Sequence, residues 1–260
     1  MDSNVESGAL YRNGYTIEYS DVDFTKELKL STLFMYFQDT AGQAVERLGA
    51  GVDILAQKYS VTWVLLRIRV EIGTNPLINE AVTVETWPHP QGKLEFNRDY
   101  TVRDAKGNII ISGTSIWALM DTRTRELRRS NLIELKYPPF IQEHALDYKF
   151  GKLKPFRQPE VAYRKVIGYS DVDFNGHINN TRYIDYIMDC FPVESHKQYR
   201  VKAIEVNYLR ETFPGDTLVM YKDISALDSN KVYIEGVNEE DGKPAFKAQI
   251  EIVPRENKIP

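Results

Sequence analysis

Cysteine is almost missing from this chain. One thiol, Cys190, in 260 residues excludes an internal disulfide and any cysteine-rich zinc site. Long apolar runs are missing too, since nothing approaches the roughly 20 consecutive apolar residues of a membrane-spanning helix. The opening stretch, MDSNVESGALYRNG, has neither a basic n-region nor an apolar h-region, and the expectation is a cytoplasmic protein without a membrane partner. Positive charge is not in excess: 33 Lys and Arg against 37 Asp and Glu leave a net charge of -4, which argues against a general nucleic-acid binder. A polyanionic partner would need a local basic patch. Histidine is scarce as well, and His89, His144 and His196 show no metal-ligand spacing; they are read as surface or turn residues, with no metal and no cofactor expected.

What is present is a repeat. YSDVDF at 19–24 recurs at 169–174, an offset of 150, and similar patterns follow each copy. After the first, Leu30, Leu33, Phe34, Phe37, Ala41, Ala44, Val45 and Leu48 fall at three- and four-residue steps. That spacing predicts a long helix with one apolar face, with Ser31 as N-cap and Gly49 just past the end. After the second, Ile184, Ile187, Met188 and Phe191 predict a shorter helix stopped by Pro192. Strand-like segments follow in both copies, at 61–72 and 201–211 and then at 80–87 and 216–224. The last pair is offset by 136, so the first copy holds about 14 more residues between motif and strands. Two further hairpins close the copies through the turns AKGN and DGKP.

One helix and an antiparallel meander, twice over, predict an α+β fold with two antiparallel sheets, each wrapped around a long central helix. The division is an N-terminal domain at 1–130, a proline-rich packed connector at 131–160 and a C-terminal domain at 161–260. Asn131 with Glu134 reads as a helix cap at the connector's start.

The segment DVDFNGHINN, residues 171–180, admits two readings. Asp, Asn and Gly are what an Asx-turn and helix cap use anyway. Placed before a helix, the same loop presents backbone N–H groups and the helix N-terminus to a developing oxyanion. The repeat separates its parts: DVDF occurs in both copies, whereas Asn175 and His177 occur only in the second. Asp-Val-Asp-Phe is therefore scaffold and Asn-Gly-His an addition.

Four stretches, YSDVDFTKELKLSTLFMYFQDTA, VTWVLLRIRVEIGTNP, SIWALMDTRTRELRR and DVDFNGHINNTRYIDYI, followed by YLRET, resemble the acyl-acyl carrier protein (acyl-ACP) thioesterases, a tandem hotdog family. The resemblance covers roughly residues 10–253. It implies hydrolysis of fatty acyl-ACP to free fatty acid by a monomer or homodimer, with acyl carrier protein as partner. Carried over by position, the catalytic set is Asp173, Asn175, His177 and Glu211. The plant enzymes carry a cysteine directly after that glutamate, where this chain has Thr212, so direct attack by water is expected. In that reading Asn175 and nearby backbone N–H groups polarise the carbonyl, His177 and Glu211 activate the water, and Asp173 orients the loop. The first copy reads DFTKE where the second reads DFNGH, and Asn75 stands at the position of Glu211, which implies one active site per chain.

The copy without the catalytic set keeps the longer helix, and the acyl chain is expected there, against Phe37, Ala41, Gly42 and Trp63. Cys190 is read as a small buried hydrophobe. Arg123, Arg125, Arg128 and Arg129 either steer the acidic carrier or pack the domain junction. An acyl-CoA thioesterase, a hotdog hydratase or dehydratase, and a non-catalytic acyl-binding module are the competing readings.

Overall fold

The computed structural model describes residues 9–133, 135, 139–173 and 176–255. Its first half runs β1 (Tyr11–Thr16), α1 (Leu30–Arg47), α2 (Val52–Tyr59), β2 (Val61–Ile72), β3 (Ala81–Pro88), β4 (Glu95–Arg103), β5 (Ile109–Asp121) and the short β6 (Leu127–Arg128). The second half runs β7 (Glu160–Val166), α3 (Asn180–Met188), α4 (Val193–Gln198), β8 (Tyr199–Tyr208), β9 (Thr217–Asp223), β10 (Lys231–Asn238) and β11 (Pro244–Pro254). No helix among the described residues is long and apolar enough to cross a membrane.

The strands form one antiparallel sheet, not the two expected. Its order is β1-β3-β4-β5-β2-β8-β11-β10-β9-β7, with β6 added to β5. Left apart, β2 and β8 would each present a row of unpaired backbone groups; pairing them removes both edges. In that pairing Arg69 lies opposite Glu205, with Ile68 opposite Val206 and Val70 opposite Ile204. Residues 69 and 205 are 136 apart, the repeat offset of the strands, so the pseudo-twofold that relates the halves passes through this pair.

Helix α1 buries Leu33, Phe34, Phe37, Ala41 and Ala44, the apolar face its spacing predicts. Phe37 stacks on Tyr100 of β4 with centroids 4.5 Å apart. It also lies over Gly113 of β5, where a Cβ would come within 3.2 Å of its ring. Helix α3 buries Tyr183, Ile184, Tyr186 and Ile187 against the second half of the sheet. Both helices share one continuous apolar core with β2 and β8. Burying each large apolar side chain there stabilises the fold by about 1.5–3 kcal/mol.

Ser31 lies inside α1, whose N-cap is Lys29 with no side-chain hydrogen bond. The repeated motif explains why: the Lys29 N–H donates to the Asp21 carbonyl at 2.8 Å, so backbone, not a side chain, fixes the entry angle. The second copy repeats the bond from Asn179 N–H to the Asp171 carbonyl at 3.1 Å. Here Asn179 also caps α3, its side chain accepting from the Thr181 N–H at 2.9 Å. Gly49, at φ 70°, follows α1 as expected. In place of the helix expected from Asn131 there is a single 3₁₀ turn over Ser130–Leu132; Glu134 lies outside the described residues.

Candidate active site

The loop before α3 is a tight reversal. Val172 bridges Ile178, the Asp173 N–H donates to the His177 carbonyl at 2.9 Å, and the Gly176 N–H donates to the Asp173 carbonyl at 3.0 Å. Gly176 sits at φ 78°, where a side chain is strained. The first copy makes the same reversal: Val22 bridges Leu28, Asp23 N–H donates to the Glu27 carbonyl at 3.0 Å, and Lys26 takes the left-handed position at φ 66°. The Asp-Val-Asp-Phe motif is thus a turn scaffold used twice, as its repetition implies. Asn175 lies outside the described residues.

The reversal aims His177 at Glu211, which follows β8. Their side chains approach to 3.6 Å, Nδ1 to Oε1, and each is about a quarter exposed. Phe213 packs edge-on to the imidazole at 5.3 Å. Arg125, beyond β5 in the other half, reaches across and grips the Glu211 carboxylate: its Nε–H donates to Oε2 at 2.9 Å and a second guanidinium nitrogen meets Oε1. Burial, assisted by the positive charge of Arg125, holds His177 below the usual histidine range, so near neutral pH the ring is an acceptor for a proton.

The corresponding corner of the first half is built from different side chains. There Glu27 stands where the second copy has His177, and it accepts a hydrogen bond from Asn75, which stands where the second copy has Glu211. An arginine crosses here too: Arg255, following β11 as Arg125 follows β5, pairs with Glu27. A crossing arginine therefore occurs in both corners, gripping Glu211 in one and the counterpart of His177 in the other, but only one corner holds an imidazole. Neither Asp23, Glu27 nor Asn75 lines the large cleft.

That cleft, about 960 Å³, has walls from both halves. Its polar end holds Asp173, His177, Glu211, Thr212 and Arg125; its apolar reach runs between α1 and β2 past Ala41, Gly42, Val45, Trp63 and Phe96. Trp63 is fixed by a hydrogen bond from its indole N–H to the Ala50 carbonyl at 2.9 Å and by an edge-on contact with Phe96 at 4.8 Å. Of the four expected acyl contacts, Ala41, Gly42 and Trp63 line the cleft. Phe37 does not: its ring is spent on the core against Tyr100. A Cβ built at Gly42 meets no atom within 4 Å, so close packing does not explain that glycine.

Neither alternative nucleophile is poised. Thr212 is buried, and its hydroxyl oxygen accepts from the Tyr183 O–H at 3.1 Å. Cys190, just past the end of α3, is buried and does not line the cleft; it donates to the Tyr186 carbonyl at 3.4 Å, and its thiol is pushed up to about 12 by burial. Sequence reasoning singled out Arg125 only as one of a basic cluster, and its cross-chain partner is not written in local spacing. The reading of His89 as a surface or turn residue is corrected: it is buried, against Asp99 and His144, and does not line the cleft. These three are the one candidate metal-ligating group among the described residues.

The acyl-ACP thioesterase N-terminal domain family matches residues 8–131 and the acyl-ACP thioesterase C-terminal domain family matches residues 156–252. The chain belongs to the acyl-ACP thioesterase family. An acyl-ACP thioesterase from Bacteroides thetaiotaomicron superposes with a TM-score of 0.78 at 26% identity, covering 94% of this chain and 98% of that one. A chloroplastic oleoyl-acyl carrier protein thioesterase of Arabidopsis thaliana is 28% identical over 241 residues, 82% of this chain and 62% of its own length. A chloroplastic acyl-[acyl-carrier-protein] hydrolase of Cuphea viscosissima is 25% identical over 238 residues, 87% of this chain and 57% of its own. The chain thus spans about 57–62% of these curated relatives. Their names also overturn the cytoplasmic expectation: these relatives are chloroplastic.

Proposed function

We propose that the protein hydrolyses fatty acyl-ACP to free fatty acid and carrier thiol by direct attack of water. One observation carries this: a single cleft joins an apolar tunnel wall on α1 and β2 to the His177–Glu211 pair beyond β8. An acyl chain fits the first part and its thioester carbonyl the second. Residues 1–130 supply the acyl site, 131–160 the connector and 161–260 the catalytic set. The halves of the sheet curl about α1 and α3, a reading supported by the burial of both helices in one core with β2 and β8.

In this mechanism His177 removes the proton from water, because its lowered affinity for protons leaves the ring neutral at working pH. Glu211 is held in two-point contact by Arg125, which makes it an orienting group for the imidazole, not the base. Asn175 and backbone N–H groups of the turn stabilise the oxyanion, and Asp173 orients the loop. The thiolate leaves with little acid assistance. Acyl carrier protein is the partner. The test is thiol release from a panel of acyl-ACP substrates of graded length: steady turnover on carrier-bound chains supports the reading, and binding without thiol release contradicts it.

A further inference from the structure

We propose that His89, Asp99 and His144 form a site for a divalent transition-metal ion of the zinc class, fastening the connector to the first half of the sheet. The three come from separate places: just past β3, on β4, and in the connector. His89 Nε2 lies 2.9 Å and His144 Nδ1 3.3 Å from the same oxygen, Asp99 Oδ2, and the three ligand atoms lie within 4.8 Å of one another. Around a tetrahedral ion with bonds of about 2.0–2.1 Å, ligand atoms stand roughly 3.3 Å apart. The spacing to Oδ2 is already close to that, and the His144 side chain, 60% exposed, can turn to close the rest.

The arrangement suits a cation. Asp99 is wholly buried. Oδ2 accepts the Ala145 backbone N–H at 2.8 Å and lies beside one ring nitrogen of His89 and one of His144. Oδ1 is buried with no hydrogen-bond partner among the described residues. The two imidazoles stack at 4.1 Å and 24°, which sets both rings beside the one carboxylate. Two imidazoles and a carboxylate are a donor set that favours zinc-class ions over magnesium or calcium, which take mainly oxygen. Position suggests a fastening: the Trp87 indole N–H donates to the Glu143 carbonyl at 3.1 Å, so residues 143–145 already dock on this edge.

The experiment uses the full chain, stripped with a chelator and titrated with zinc chloride by calorimetry and with cobalt chloride by visible absorption. The expected result is one ion per chain, a cobalt spectrum of low coordination number, and a rise in Tm. His144→Ala removes an exposed side chain, so folding and thioester hydrolysis should be retained while affinity falls about a hundredfold or more. His89→Ala should do the same to affinity, and His177→Ala should leave it unchanged. Absence of a stoichiometric ion, undiminished binding in His144→Ala, or loss of the ion in His177→Ala would each overturn the site.

Discussion

At the scale of single residues, the account rests on His177 acting as base while Glu211 and Arg125 orient it. His177→Ala, Glu211→Ala and Asn175→Ala are each expected to lower kcat by at least about a hundredfold, the scale of losing a general base or an oxyanion donor. Thr212→Ala and Cys190→Ser should keep most activity, because neither side chain meets a base and the Cys190 thiol is protonated at working pH. Isolation of an acyl-enzyme at either residue would require a covalent route instead. The pH profile adds a sign. With the folded-state pKa of His177 lowered, activity should be present near neutral pH and fall as pH drops through that lowered value. Arg125→Ala removes one cause of the lowering, so the acid limb should move to higher pH. A limb that stays in place would detach Arg125 from His177.

At the scale of elements, the proposed acyl site places chain-length specificity on the helix that lines the cleft. Gly42 on α1 opens to the cleft with no neighbour within 4 Å of a Cβ, although glycine costs a helix interior about 1 kcal/mol relative to alanine. Gly42→Leu should shift preference towards shorter acyl chains, leave turnover of the shortest good substrate intact, and raise Tm slightly if it moves Tm at all. An unchanged length profile in the folded variant would remove the acyl chain from this helix. Phe37→Ala is the contrasting change. It opens a hole over Tyr100 and Gly113 and should cost about 3–5 kcal/mol of stability, read by denaturant unfolding, before any effect on chain length is seen.

Much of this was legible locally. The run at 61–72 is strand β2 to the residue, and the apolar stripe from Leu33 to Ala44 is the buried face of α1. The edge strands β1 and β7 escaped because YRNGYT and EVAYRKV bury little and carry polar residues throughout. Helix α2 escaped because only Leu55 of its eight residues is buried. The union of two expected sheets into one depends on β2 meeting β8, some 130 residues away, which no local pattern encodes. The same holds for Arg125 at Glu211 and for His89 at His144.

At the scale of the whole molecule, the pseudo-twofold relates two similar corners, of which the proposed mechanism uses one. Each corner is built by both halves, since Arg125 crosses one way and Arg255 the other. Only the second corner has an imidazole; the first holds Glu27 and Asn75. Transplanting chemistry into the first corner with Glu27→His and Asn75→Glu should not restore activity to a His177→Ala chain, because that corner does not line the cleft. Docking of the proposed carrier is also a property of the whole surface. Of the basic cluster, Arg125 and Arg128 are already paired, to Glu211 and Asp121, so charge reversal at Arg123 or Arg129 is the cleaner test. It should raise KM for carrier-bound substrate at low salt and leave a small pantetheine thioester unaffected.

The most direct test of the central claim is single-turnover hydrolysis of an acyl-ACP in oxygen-18 water, with the native chain and with His177→Ala. Water attack at one site predicts one labelled oxygen in the released fatty acid, no covalent intermediate by mass at early times, and loss of turnover by about a hundredfold or more in the variant. A transient acyl-enzyme, or a His177→Ala chain that turns over at the native rate, would contradict it.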